Sequence, residues 1–150
     1  MVTDYAGQII LRGFWDEGLY LHNIILEEKD RIEKRLLGRA YNNIGGIYDN
    51  KGEWDKALEY YLKSEKITIE VGDRAGLVST CFNIGILCRE NGDKKGKNYI
   101  ILAGYLSIML GMRHEFSQMQ WALGPIIKEI GEEKFIKLGQ RLSESKKLKI

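Results

Sequence analysis

Histidine and cysteine carry the most versatile chemistry in this 150-residue chain, and each occurs twice. His22 and His114 could bind a metal or move a proton, but a helical metal site needs a second ligand on the same face, such as at i, i+4. Neither histidine has one, and Glu115 beside His114 projects from a different side of a helix. Cys81 and Cys88 are seven residues apart, which on a helix sets them on one face about 10 Å from each other, too far for a disulfide. They read as small apolar core residues. The glycine-bearing turns lack the preceding strand that a phosphate-binding loop requires. The sequence therefore assigns no catalytic residue, no metal ligand and no cofactor, and the chain reads as a non-enzyme.

The formal net charge is +2, a small global excess, whereas binding to phosphates needs a concentrated basic face. The acidic run Glu27, Glu28, Asp30 and Glu33 is interleaved with Lys29, Arg31, Lys34 and Arg35 and reads as a solvated helix surface. Lys146, Lys147 and Lys149 read as a fraying, solvated tail. No window approaches the roughly 18 apolar residues of a membrane span, and MVTDYAGQII has neither the basic region nor the apolar run of a signal peptide. The expectation is a cytoplasmic protein that meets neither nucleic acid nor membrane.

Seventeen glycines against a single proline point to the elements that position everything else, because the glycines fall at regular intervals. Gly13, Gly52, Gly92 and Gly131 are separated by 39, 40 and 39 residues, and Ala6, Gly45, Gly85 and Gly124 repeat those intervals seven residues upstream. Between the two series the pattern is helical: Tyr41, Ile44, Gly45 and Tyr48 fall at i, i+3, i+4 and i+7, and Cys81, Ile84, Gly85 and Cys88 repeat that face. After Gly52 a second helix is predicted to bury Ala57, Leu58, Tyr61 and Leu62. Gly45 and Gly85 allow the facing helix to approach closely, with Tyr41, Tyr48 or Tyr61 filling the space beside it. Each unit is thus an antiparallel helical hairpin, turning at DNKGE or ENGD.

The end units depart from this pattern. The first has a leading helix of only about Thr3 to Leu11, and the join to the next unit is placed between Asp30 and Lys34. In the third, Gly96, Ile100 and Ala103 take the places of Ala57, Tyr61 and Ser64 at an offset of 39, as expected of a one-residue deletion after Gly92. In the fourth, Pro125 falls inside an expected helix, where it removes a hydrogen bond and clashes with the preceding turn; a kink or split is predicted there. The amphipathic EKFIKLGQRLSESKKLKI reads as a capping helix.

Tyr41, Ile44-Gly45, Tyr48, Ala57 and Tyr61, in this order, resemble the tetratricopeptide (TPR) signature. The period near 40, the triplets Asn43-Ile44-Gly45 and Asn83-Ile84-Gly85, and the linker Gly72-Asp73-Arg74 resemble its extended-repeat subclass. That resemblance implies an all-α fold, a right-handed α-α superhelix or solenoid of about 7–8 helices. It implies a single domain over 1–150: a partial repeat over 1–33, repeats over 34–73 and 74–112, and a degenerate capping repeat over 113–150. It further implies a concave groove that holds a peptide, with Asn43 and Asn83 bonding the peptide backbone. The matching positions in the first and fourth units are Asp4 and Ala122, so the ladder has two rungs.

The helix face opposite the packed stripe completes the expected groove. Arg39, Asn42, Gly46, Asp49 and Asn50 come from the second unit. Ser79, Phe82, Ile86, Arg89 and Glu90 come from the third, and Gln118 and Trp121 from the fourth. Phe82 and Trp121 are large apolar residues on a face that should be wet, which marks either a contact site or a place where the array tucks against a neighbouring unit. The alternative for Asn43 and Asn83 is a solvent-facing or helix-stabilising side chain. The function expected is a protein-protein interaction scaffold that binds a peptide or helical segment of another protein. The alternative is a self-associating structural segment, or a regulatory portion of a longer TPR array, in which a homodimer forms through Ile9, Ile10, Leu11 and Phe14 of the short first repeat.

Overall fold

The structure, a computed structural model, describes residues 15–27 and 34–148. These residues form eight helices and no strand: α1 (Trp15–Glu27), α2 (Lys34–Asn50), α3 (Trp54–Val71), α4 (Arg74–Glu90), α5 (Lys95–Met109), α6 (Arg113–Gln118), α7 (Gln120–Ile130) and α8 (Glu132–Ser145). The expected leading helix over Thr3–Leu11, the join at residues 30–33 and the apolar Ile9, Ile10, Leu11 and Phe14 lie outside the described residues. The chain divides into two compact units, residues 1–73 and 74–150.

Glycine ends the helices by one recurring device. Gly52 and Gly72 hold φ of 75° and 71°, which a side chain with Cβ adopts only at a cost, and the chain reverses there. The amide after each glycine reaches back to the helix, Glu53 N to Tyr48 O at 2.9 Å and Asp73 N to Thr68 O at 2.9 Å, satisfying carbonyls that a helix end leaves open. Gly92 and Gly111 repeat this closure through Asp93 N to Cys88 O and Met112 N to Ser107 O, each 2.8 Å.

In the first unit, α2 and α3 pair along their length, and α1 packs against α2. The hairpin closes because Gly45 lacks a side chain: a Cβ there would lie 2.5 Å from the Tyr61 ring. Tyr61 is 2% exposed, Ala57 and Ile47 are fully buried, and Tyr41 and Tyr48 flank Tyr60, at 5.9 and 5.5 Å between ring centroids. Leu62, expected in the buried stripe, is 43% exposed, because the buried face of α3 centres on Ala57, Tyr61, Ser64 and Thr68 at spacings of four, three and four, which rotates Leu62 away from it.

In the second unit, α4 and α5 form the same kind of hairpin. A Cβ on Gly85 would lie 2.7 Å from Ile100, and one on Gly96 would lie 2.6 Å from Gly85 O and 2.7 Å from Arg89 N, so the two backbones touch. Cys81 and Cys88 are buried as free thiols. Burial, with Asp93 adding to it, pushes the Cys88 thiol up, which keeps it protonated and inert at neutral pH. Leu123 of α7 inserts into the space left by Gly104 of α5 and is fully buried. The interruption expected at Pro125 falls instead at Met119, between α6 and α7. Pro125 then sits in the second turn of a new helix, where it has no N–H to donate to the carbonyl of Trp121 four residues back.

Candidate functional site

The second unit gathers three of the residues expected in the groove. Phe82 of α4 meets Trp121 of α7 edge to face, 6.1 Å between ring centroids. Arg89, two turns along α4, places its guanidinium 5.1 Å above the same indole. The i, i+7 spacing of Phe82 and Arg89 puts both on one face of α4, and the α6–α7 break leaves Trp121 in the first turn of α7. The assembly stays open to solvent, with Trp121 61% exposed. A cation over an indole contributes about 0.5–1 kcal/mol at such a site, and the edge-to-face pair a similar amount. Together they hold the indole in place.

Clefts lie at both ends of this stack. The smaller, 140 Å³, is lined by Ser79, Phe82 and Asn83 of α4 and by Met112, Glu115 and Gln118 around α6. Asn83 therefore borders the stack. Near the end of α4 a second cleft of 370 Å³ is lined by Arg89, Lys94 and Lys97 facing Ala122, Pro125 and Glu129. Lys97 there pairs with Glu129 at 3.1 Å, while Lys94 has no ion-pair partner among the described residues. Ile86 is half-buried on the same helix.

The first unit distributes its expected residues differently. Arg39 donates from Nε to the Asp73 carboxylate at 3.4 Å, and Arg35 lies 3.6 Å from the same oxygen. Asp73 is 7% exposed, so these cations neutralise a carboxylate that would be costly to bury alone. With Lys34 bonded to Glu70, they fasten the start of α2 to the end of α3. Asn42, Asn43, Gly46 and Asp49 are half-buried and Asn50 is exposed. Sequence reasoning missed the arginine–Asp73 clasp, although Gly72-Asp73-Arg74 was in view; Arg35 and Arg39, one turn apart, were the signal.

His22 is fully buried in α1, and neither ring nitrogen has a hydrogen-bond partner among the described residues. Burial lowers its pKa from 6.5 to about 4. It occupies the place of Tyr61 and Ile100, each 39 residues on, which makes it a packing residue of α1. His114 is exposed and lies 3.0 Å from Gln118. The described residues contain no group of three or more His, Cys, Asp or Glu able to hold a metal, and no helix among them is long and apolar enough to cross a membrane.

No protein-family model matches the chain, and no curated protein sequence matches it.

Proposed function

We propose that the chain is a non-catalytic, cytoplasmic protein-interaction module, a right-handed stack of TPR-like hairpins that holds a peptide segment of another protein. The Phe82–Trp121–Arg89 stack carries this reading: an exposed indole, held by an aromatic edge on one side and a guanidinium on the other, has the composition of an interface hot spot. Asn83 lies at its border, and the half-buried Asn43 is the corresponding residue of the preceding repeat. A hydrogen bond from one such amide contributes about 0.5–1.5 kcal/mol, a small part of the roughly 8 kcal/mol that a Kd of about 1 µM requires, so the Trp121 anchor and the rest of the peptide have to supply the remainder.

The test is selection of peptides from a random displayed library on the purified chain, followed by titration against Trp121→Ala and Asn83→Ala. Trp121 is 61% exposed, so its removal costs only about 1–2 kcal/mol from its contacts with Phe82 and Arg89, and the variant stays folded. Selected peptides lose about tenfold or more in affinity for Trp121→Ala and less for Asn83→Ala. Peptides that bind both variants as they bind the parent would place the groove elsewhere.

A further inference from the structure

The fourth hairpin breaks the packing rule that closes the other two, and the break leaves an apolar cleft. In α5 the position that touches the facing backbone is small, Gly96, and its equivalent in α3 is the fully buried Ala57; the position four residues on supplies the large side chain, Ile100 and Tyr61. In α8 the order is reversed. Phe135 stands 39 residues after Gly96, and Gly139 stands 39 after Ile100.

A phenyl ring cannot occupy a place where even a Cβ would lie 2.6 Å from a backbone oxygen. Phe135, buried to 2% exposure, holds α8 away from α7. Gly139 then seats α8 against Tyr105 of α5, whose side chain a Cβ at that position would overlap, and α8 packs chiefly on α5. The turn has changed accordingly: Gly131 adopts φ 87° and ψ 152°, extended where Gly72 is left-handed at φ 71° and ψ 24°.

The slot at Gly124 is consequently vacant among the described residues. Where Gly45 receives Tyr61 and Gly85 receives Ile100, a Cβ on Gly124 would find only Gln120 of its own helix, at 3.5 Å. The vacancy belongs to a cleft of 470 Å³, walled by Phe116, Gly124, Ile127, Phe135 and Ile136 and reached also by Ile108. Lys128 and Glu132 stand at its edge, both exposed and neither ion-paired among the described residues. Its size and its apolar walls with a few polar groups are those of a small-molecule site.

We propose that the α7–α8 cleft binds a small aromatic compound of one or two rings. The ring takes the slot beside Gly124 that Tyr61 fills at Gly45, and a polar substituent meets Lys128 and Glu132. The occupant's class follows from the chain's own example: the equivalent slots hold a phenol ring and a branched alkyl group.

The probes are indole and p-cresol, titrated into the full chain while the isoleucine methyl resonances are followed by NMR. Saturable shifts are expected at Ile127, Ile136 and Ile108, with a Kd of about 1 mM or tighter for ligands of this size. Gly124→Leu fills the slot and lowers affinity at least tenfold. Ile136→Lys, at a 39% exposed position, does so independently and serves if Gly124→Leu does not fold. Equal binding to a folded Gly124→Leu or Ile136→Lys variant, shifts confined to other parts of the chain, or no shift at about 10 mM probe would overturn the proposal. A random peptide that competes with indole for these methyls would also overturn it, since the occupant would then be a polypeptide. Trp121→Ala leaves indole binding unchanged, so this site and the peptide groove fail or stand separately.

Discussion

The α4–α5 hairpin and the α7–α8 hairpin start from the same glycine, Gly85 in one and Gly124 in the other, and end differently. At Gly85 the facing helix brings Gly96 against the backbone and Ile100 into the slot. At Gly124 it brings Phe135, and the slot stays open. A glycine on one helix permits close approach but does not cause it. Contact requires a small residue opposite, and a large one four positions on to fill the remaining space.

Exchanging residues between the two hairpins breaks the comparison most severely. Gly96→Phe places the fourth hairpin's residue where two backbones touch, and should cost about 3 kcal/mol or more by overpacking. Urea denaturation would register this as a lower midpoint at similar m-value. A midpoint within error of the parent would mean that backbone contact does not close the α4–α5 hairpin.

His22 tests the large-residue position in the first unit. Its pKa falls from 6.5 in the unfolded chain to about 4 in the fold, because burial disfavours the imidazolium. Above about pH 6.5 both states are neutral and the group adds no pH dependence. As pH drops from about 6.5 to 4 the unfolded state takes up a proton first, and up to roughly 3 kcal/mol of stability is lost. His22→Leu should remove this component, so that its stability relative to the parent rises on acidification. Parallel pH profiles would show that His22 is not buried as an uncharged ring.

Gly124→Ala sharpens the contrast with the smallest effect. A methyl has room there, and alanine favours the helix over glycine by up to about 1 kcal/mol, so thermal stability should rise slightly. Gly85→Ala, set against Ile100 and a backbone amide, should lower it. The same sign in both variants would erase the difference between the two hairpins.

Much of this contrast was legible in the residue pattern. The 39- and 40-residue glycine intervals marked the turns, and the spacings through Ile44–Gly45 and Ile84–Gly85 marked the packed faces, because helix geometry converts sequence separation directly into angle. The same offsets carried Phe135 and Gly139 into the places of Gly96 and Ile100, so the reversal was present in the letters although its consequence was not. Asn42, Asn43, Asp49 and the other polar residues of α2 gave less, since a polar helix face looks alike whether it meets a peptide or water.

By itself the sequence determined that the described chain is helical, where its paired helices turn and which small residues let them touch; these are local consequences of periodicity and of glycine's freedom at φ > 0. Tertiary structure decided the rest. It brought Phe82, Arg89 and Trp121 into one stack, set Arg35 and Arg39 on Asp73, moved the expected interruption from Pro125 to Met119, and turned α8 onto α5. Each depends on how two helix surfaces fit in three dimensions, where a single ring or a missing Cβ selects the partner, and spacing along one helix does not specify the surface it will meet.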